Sequence, residues 1–430
     1  MYKSIKPIIL FLVFLMGFGL HSSAQKLASL EVMLNNESSG IDVPVHINLD
    51  GITQLPDSAL SLVEVKGSVR TPVPYQLENK GERVLFWIVK QTPGTAKHVF
   101  ELIQAPPTKI SNHITLVKDS GYLTITANNK NLLRYVYKTV YPPKGVDTAY
   151  RRSGFIHPLW SPYGDRLTRI QAPDHYHHYG LWDPWTHTAF DGDTVDFWNI
   201  GDKKGTVKFA DFTSVTDGPV YGEFQALQQH IAFLRHGPDK GKNKLALNEL
   251  QSVRIYQPAA NQDYYIADIT IQLNCADLPI KLLAYRYGGL GWRATEKWDG
   301  KNSEMLTSEG KTRDSTDNTT ARWVIVQGQI DKDYAGAVMM SNPTNYSYPE
   351  PLRVWNSKTN GRGDVYANFS PTKDKDWDLT PGHDYVLKYR FIVFNNKYTA
   401  AKAEAAWQYF AHPPVVKVTL INAAKSSNKK

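Results

Sequence analysis

Cysteine is nearly absent from this chain, since its 430 residues include only Cys275. A lone cysteine excludes an intramolecular disulfide and a Cys-rich metal cluster. Beyond residue 24 the chain also lacks an apolar run of membrane-spanning length. It has no internal repeat, no extended low-complexity segment, and no basic stripe or known nucleic-acid motif. These absences exclude a disulfide scaffold and a repeat protein, and they argue against a nucleic-acid partner.

The apolar run that the chain does have lies at its start. Lys3 and Lys6 precede an apolar stretch over residues 8–20, and small residues follow up to Ala24. This pattern predicts a signal peptide over residues 1–24, with Gln25 as the first mature residue. No cysteine follows the apolar stretch, which excludes a lipoprotein. We therefore expect a periplasmic or secreted protein without stable membrane insertion after cleavage.

The chain is rich in aromatic residues and carries a mild positive net charge. It is 42% hydrophobic and 21% charged, which is the composition of a folded protein, and its length favours two domains. The aromatics comprise 11 Trp, 24 Tyr and 16 Phe, or 12% of the chain. The formal net charge is +8, or +6 without residues 1–24, which hold two lysines and no acidic residue. Such an excess suits an anionic partner.

Most of the mature chain has strand periodicity. Residues 265–273 alternate apolar and polar side chains, residues 385–393 place apolar side chains on one face, and residues 122–127 and 132–137 flank an Asn-rich turn. Residues 400–410 are the one segment whose pattern convincingly predicts a helix, with Thr399 as its N-cap. We predict an all-β protein: a small β module over residues 25–108, a large antiparallel β-sandwich over residues 109–418 with a C-terminal helix, and a flexible basic tail over residues 419–430.

Histidines concentrate in one region. Five of the 13 lie within about thirty residues: His157, His175, His177, His178 and His187. If residues 174–179 are extended, one face presents His175, His177 and Tyr179, and the other presents Asp174, Tyr176 and His178. The pair His175 and His177 could bind a divalent metal ion with Asp196, Asp193 or His187 completing the set. The same pair could instead act as base and acid. The alternative is ordinary sandwich histidines bonded to carbonyls.

Tryptophans lie in the same region, among glycines and prolines that indicate loops. They are Trp160, Trp182, Trp185 and Trp198, and Trp292 lies farther along the chain. Indole faces on loops suit the stacking of sugar rings, so we expect these residues to bind substrate. The competing interpretation is that they fill the sandwich core.

A second cluster of residues follows the strand at 265–273. Arg286 and Arg293 can each bind a carboxylate or sulfate in a bidentate manner. Tyr287 lies between Arg286 and the glycine pair at 288–289. The glycines do not form a phosphate-binding loop, because the Lys-Ser/Thr ending is missing. The alternative is a bulged strand with surface ion pairs.

These motifs resemble a secreted bacterial family known under a methane-oxygenase (PmoA-like) label. The resemblance covers about residues 120–400 and rests on His157-Pro158, Ser161-Pro162-x-Gly164, Leu167-Thr168, Asp174-His175-x-His177-His178-x-Gly180-Leu181-Trp182, Phe197-Trp198 and Gly288-Gly289 with Arg293. Position 179, usually Arg in that family, is Tyr here. The resemblance implies a sandwich of the carbohydrate-active super-sandwich type, polysaccharide utilisation, and dehydration of ulvan-type algal oligosaccharides. A membrane methane oxygenase is excluded by the lack of spans.

The leading hypothesis is a lyase or dehydratase that acts by β-elimination on uronate-containing, anionic oligosaccharides. Such an enzyme needs a neutraliser for the carboxylate, a base near C5 and an acid for the C4 oxygen. We expect His175, His177, His178, His157, Tyr176 and Arg293 to be catalytic, and Arg286, Tyr287 and the five tryptophans to bind substrate. If the protein uses a cofactor, we expect it to be a divalent metal ion bound by His175, His177 and Asp196. The alternatives are a glycoside hydrolase of charged glycans, a metal-dependent oxygenase and a non-catalytic glycan-binding protein.

Overall fold

The computed structural model describes residues 25–34, 40–92 and 94–421. The predicted signal peptide and residues 422–430 of the predicted tail lie outside these described residues. Within them the protein is built of antiparallel β-sheets with a single α-helix, which confirms the predicted all-β sandwich architecture. None of the described helices is long and apolar enough to cross a membrane.

The N-terminal module contains the first described strands: β1 (Gln25–Met33), β2 (Val43–Asn48), β3 (Leu60–Lys66), β4 (Val69–Pro72), β5 (Tyr75–Asn79), β6 (Arg83–Val89) and β7 (Lys97–Gln104). The large sandwich begins with β8 (Thr115–Asp119), β9 (Tyr122–Ala127), β10 (Lys130–Val136), β11 (Phe155–Leu159), β12 (Ile170–Ala172), β13 (His175–Tyr179), β14 (Leu181–Trp182), β15 (Thr188–Phe190) and β16 (Asp193–Val195).

Its longest strands follow: β17 (Gly205–Thr216), β18 (Tyr221–Phe233), β19 (Asn243–Tyr256) and β20 (Tyr264–Cys275). The remaining elements are β21 (Ile280–Leu282), β22 (Gly291–Arg293), β23 (Ser303–Thr307), β24 (Trp323–Ile330), β25 (Asp333–Ser341), β26 (Leu352–Val354), β27 (Tyr366–Phe369), β28 (Trp377–Leu379), β29 (Tyr385–Asn395), helix α1 (Ala400–Ala411) and β30 (Val416–Leu420). Short 3-10 turns span Asp57–Ala59, Thr148–Tyr150, Ile200–Asp202, Arg313–Ser315 and Thr359–Gly361.

The small module is a two-sheet sandwich closed by the C-terminal strand. One sheet has the order β30-β1-β7-β3-β4 and the other β2-β6-β5, and their apolar faces share one core that includes Trp87 and Leu102. Strand β30 pairs with β1 at the sheet edge, from Ala28 opposite Leu420 to Val32 opposite Val416. The predicted boundary at residue 418 therefore falls inside a strand of the small module, because a pairing between chain ends leaves no local signal.

The large sandwich stacks two long sheets. Their orders are β26-β27-β22-β14-β11-β10-β9-β8 and β17-β18-β19-β20-β29-β25-β24-β23. Strand β20 buries alternate residues as its period predicts, and the β9–β10 hairpin turns through Asn128 and Asn129, both with positive φ. Such φ values belong to the two-residue turns that match strand twist, and Asn tolerates them well. The predicted hairpin and the strand at 265–273 are confirmed.

Helix α1 covers the outer face of the second sheet. Thr399 caps it, its Oγ1 accepting from the Lys402 amide at 3.3 Å, which confirms the predicted helix and cap. Trp407 packs among Ile266, Met340 and Ile392 on that face. The middle strands of this sheet are consequently buried on both faces, which explains why residues 335–340 of β25 and 391–394 of β29 are continuously apolar.

Candidate functional site

Strand β13 brings three histidines together because its pairing with β12 is irregular. Ile170 lies opposite Tyr179 and Ala172 opposite His175, so four steps along β13 match two along β12. Gln171, in β12, has a positive φ of 49°. Strict alternation is broken, and ring nitrogens of His175, His177 and His178 lie within 4.8 Å of one another. The predicted placement of His178 on the opposite face was wrong. We call these three residues the histidine cluster.

A carboxylate supports the cluster from behind. The Nδ1 of His175 donates to Asp174 Oδ2 at 2.8 Å. The same carboxylate accepts from Arg293 Nη2 at 2.9 Å and from Asn360 Nδ2 at 2.7 Å. Arg293 is almost fully buried and also pairs with Asp364 at 3.1 Å. Arg293 therefore orients Asp174 and His175 and does not line the pocket, contrary to its predicted catalytic position.

The cluster forms one wall of a pocket of about 180 Å³. Its lining residues are His175, His177, His178, Trp198, Asn199, Arg286, Tyr287, Arg353, Trp355 and Tyr366; we call it the histidine pocket. Two cations and three imidazoles therefore face one space, whereas no Asp or Glu of the described chain lines it. Pockets for drug-sized ligands measure roughly 300–1,000 Å³, so this one has the size for a single sugar unit.

Aromatic rings build the floor of the histidine pocket. His178 packs on Trp182 and Tyr366, with ring centroids 5.0 and 5.2 Å apart, and His175 packs on Trp355 at 4.8 Å. Trp198 contacts Tyr287 at 5.1 Å. These rings exclude water from the deep side of the imidazoles, so charge introduced there meets little solvent screening.

Asp196 lies outside the cluster, which corrects the predicted metal set. Its carboxylate accepts from the Trp198 and Asn199 amides, both at 2.8 Å, from the Asn199 side chain at 2.8 Å and from Thr186 Oγ1 at 2.9 Å. These four donors use its oxygens to fold the turn that presents Trp198 and Asn199 to the pocket. The third histidine of the cluster is His178.

Burial controls the protonation of the site. It lowers the pKa of His177 to about 3, with His175 and Arg293 adding to the effect. Burial, and then His177 and Arg293, hold the pKa of His178 well below its usual value. Burial alone would raise the pKa of Asp174, but His175 and Arg293 hold it well below the ordinary range. At neutral pH the pocket thus presents neutral His177 and His178 over an ionised carboxylate.

Tyr287 is the phenol of the histidine pocket best placed for chemistry. Its hydroxyl donates to Asn199 Oδ1 at 3.1 Å, and burial raises its pKa to about 12. The Arg286 guanidinium lies 5.5 Å from its ring centroid, and no carboxylate of the described chain lies within ion-pair distance of Arg286. Arg353 is also in the lining, with Asp317 as its ion-pair partner.

Several predicted site residues lie elsewhere. His157 is half-buried and contacts Thr168, its Nδ1 2.9 Å from Oγ1, and desolvation lowers its pKa to about 4. Tyr176 packs on Tyr150 with centroids 5.7 Å apart. Neither residue lines the histidine pocket.

Most of the predicted sugar platforms are core residues. Trp182, Trp185 and Trp292 are 0% exposed, so none of them can stack on a sugar. Trp160 packs near Arg134 outside the pocket. Trp182 and Trp292 lie in β14 and β22, which are inner strands of the first long sheet and not exposed loops. Trp198 alone of the five lines the pocket.

Four pocket residues were missed: Asn199, Arg353, Trp355 and Tyr366. The last three come from β26, the residues after it, and β27. Arg353 and Trp355 are two apart in an extended segment, the spacing that puts them on one face. A cation and an indole at that spacing were the available signal. A larger groove of about 520 Å³ between the module and the sandwich gathers no imidazole.

A family model described as "Family of unknown function (DUF6807)" matches residues 122–408. No curated protein matches the chain. Among solved structures, an alpha-mannosidase from Enterococcus faecalis V583 is similar with a TM-score of 0.43 and 10% identity, over 92% of this chain and 47% of the mannosidase. The chain thus spans about half the length of that enzyme.

Proposed function

This chain belongs to a family of unknown function (DUF6807), and we propose its function from the residues of the histidine pocket. We propose that it is an exported carbohydrate-active lyase or dehydratase. It acts by β-elimination on a terminal uronate of anionic oligosaccharides, including sulfated ulvan-type algal ones.

The supporting observation is the composition of the pocket lining. Arg286, Arg353 and three imidazoles surround a space for one sugar ring, and the described chain places no carboxylate there. A glycoside hydrolase needs two carboxylates about the glycosidic bond, which this lining does not supply. Cations and aromatic rings suit a charged sugar, and the small volume favours its terminal unit.

The reaction proposed is an elimination across C4 and C5. A base removes the C5 proton, the electron pair forms the C4=C5 double bond, and the C4–O bond breaks. A proton then reaches the departing oxygen, which leaves as water from a free hydroxyl or as an alcohol from a linkage. The C5 hydrogen becomes removable only when the neighbouring carboxylate is neutralised, because charge builds up there in the transition state.

The roles follow from position. Arg286 and Arg353, with the histidine cluster, stabilise the uronate carboxylate. Tyr287 is the base: its phenolate, which Arg286 can stabilise, removes the C5 proton in the pocket and then donates that proton to the departing C4 oxygen. Asn199 holds the Tyr287 hydroxyl in place. Because a phenol with a pKa of about 12 is largely protonated at neutral pH, kcat/KM should rise with pH through the alkaline range.

The test is mass spectrometry of uronate-terminated oligosaccharides after incubation with the protein. We expect loss of one water from the terminal sugar, with near-ultraviolet absorbance from the new double bond. The Tyr287→Phe variant should lose about 10²–10⁴-fold in kcat, while the exposed Tyr163→Phe serves as matched control. A gain of one water, a gain of oxygen, or no product across charged glycans would overturn the proposal.

A further inference from the structure

The histidine cluster has the features of a metal centre. We infer that His175, His177 and His178 bind one divalent transition-metal ion of the zinc class on the wall of the histidine pocket. The inference stands on the geometry of the cluster; only the ion's use in catalysis rests on the proposed function.

The spacing of the imidazoles suits a single ion. One ring nitrogen from each residue lies within 4.8 Å of the others. Zinc–nitrogen bonds of about 2.0–2.1 Å place tetrahedral ligands roughly 3.4 Å apart. Movements that close the set by up to about 1.4 Å are therefore sufficient, and the His175 side chain is a third exposed.

The second observation is that the surrounding groups orient the rings as ligands. Asp174 accepts from Nδ1 of His175, which leaves Nε2 for an ion, and Arg293 and Asn360 hold Asp174. A carboxylate behind a ligating histidine fixes its tautomer and raises its basicity. The Nδ1 of His178 is buried and meets no hydrogen-bond partner among the described residues. A buried ring nitrogen without a partner is costly unless something else binds there.

The ligand atoms of the cluster determine which kind of ion fits, and the charge on that ion determines what it would bind from the pocket. Imidazole suits zinc, copper, nickel and iron, whereas calcium and magnesium prefer oxygen ligands, which the lining does not offer as carboxylates. Three neutral ligands leave the full positive charge on the ion and a coordination position open towards Arg286 and Arg353. That position would take an anionic oxygen, such as the carboxylate of a uronate.

The experiment measures metal binding directly, without substrate. The chelator-treated chain is titrated with Co²⁺, followed by its visible absorption, and then with Zn²⁺ as competitor. We expect one equivalent to bind, and His177→Ala and His178→Ala to weaken Co²⁺ binding by more than 100-fold. Asp174→Asn, which keeps all three rings, should weaken it about 10- to 100-fold. His383→Ala, an exposed histidine far along the chain, is the matched control and should bind as the parent does.

The outcomes separate the two proposals. No Co²⁺ binding by the parent, or equal binding by the parent and both His177→Ala and His178→Ala, overturns the metal site. Circular dichroism confirms that each variant is folded, and Asp174→Asn tests the site if an alanine variant is not. A parent that binds one ion yet dehydrates no uronate contradicts the proposed function alone. A parent that dehydrates uronates while binding no ion contradicts the metal site alone.

Discussion

At the scale of single residues, neighbours decide what a side chain can do. Asp174 and Asp196 are both carboxylates next to the histidine region, yet Asp174 supports His175 while Asp196 is used up by four donors in a turn. The density of histidines predicted the region in which the structure forms the histidine cluster. Which acidic residue accompanies them depends on hydrogen bonds between residues that the sequence does not place side by side.

A buried carboxyl away from the pocket gives a residue-scale prediction. Glu350 accepts from Ser341, from Asn345 at 2.9 Å and from Tyr389 at 2.8 Å, and burial raises its pKa to about 7. An unfolded Glu has a pKa near 4.3. Since the folded state binds this proton more tightly, stability should fall as pH rises from 5 to 8.

Between pH 5 and pH 8, the free energy of unfolding of Glu350→Gln should fall by about 2–3 kcal/mol less than that of the parent. The measurement is the free energy of unfolding in urea at pH 5 and pH 8, for parent and variant. The difference between the two pH values should shrink in the variant. An unchanged difference would show that Glu350 is not the group that titrates.

At the scale of elements, the short strands β13 and β14 matter more to the site than the long ones. Gly180 joins them with a positive φ of 64°, and a Cβ there would lie 2.3 Å from the Ile156 carbonyl oxygen. The Gly180 carbonyl accepts from the Arg293 amide at 2.8 Å. This one turn therefore connects the histidine cluster to Arg293, which orients Asp174.

The variant Gly180→Ala should destabilise the protein by about 3 kcal/mol or more, through strain at positive φ and the backbone clash. Gly164→Ala is the matched control, because Gly164 also has a positive φ but open space around it. It should cost about 1 kcal/mol. Chemical denaturation of both variants checks this, and equal losses would mean that the clash is relieved by movement.

At the scale of the whole molecule, polar contacts join the small module to the large sandwich. Arg254 of β19 donates to Glu223 at 2.6 Å and to Glu78 of the small module at 3.0 Å, and it lies 3.9 Å from the Tyr221 ring centroid. Gln76 of the module accepts from the Val220 and Tyr221 amides at 3.2 Å. These polar contacts, together with the packing of Ile41 and Phe86 on Tyr221, dock the module on the sandwich.

We expect Arg254→Met to weaken this docking by about 3 kcal/mol, because it leaves the buried Glu223 and the half-buried Glu78 carboxylates without their main partner. Calorimetry should show the unfolding transition broaden or split, with the first part at lower temperature. Lys80→Met, which removes an exposed partner of the same carboxylates, should cost less than about 1 kcal/mol. Similar traces for both variants would argue against Arg254 as the anchor.

The sequence predictions that the structure confirms are those that rest on local sequence patterns. Alternation along β20, the Asn128–Asn129 turn and the Thr399 cap each depend on residues within a few positions of one another. The same is true of the histidines, which are neighbours in the chain. These features are visible in sequence because periodicity, turn propensity and capping are local physical preferences.

By itself, the sequence determined the all-β class, the helix and the region of the histidine cluster. The tertiary structure decided which residues meet there. Pairing of β14 with β22, of β22 with β27 and of β27 with β26 carries Arg353, Trp355 and Tyr366 to histidines roughly 175–190 positions earlier. It also buried the tryptophans that their loop-like surroundings had favoured as sugar platforms. Long-range strand pairing selects partners by the packing of whole faces, and no short segment of the chain encodes that selection.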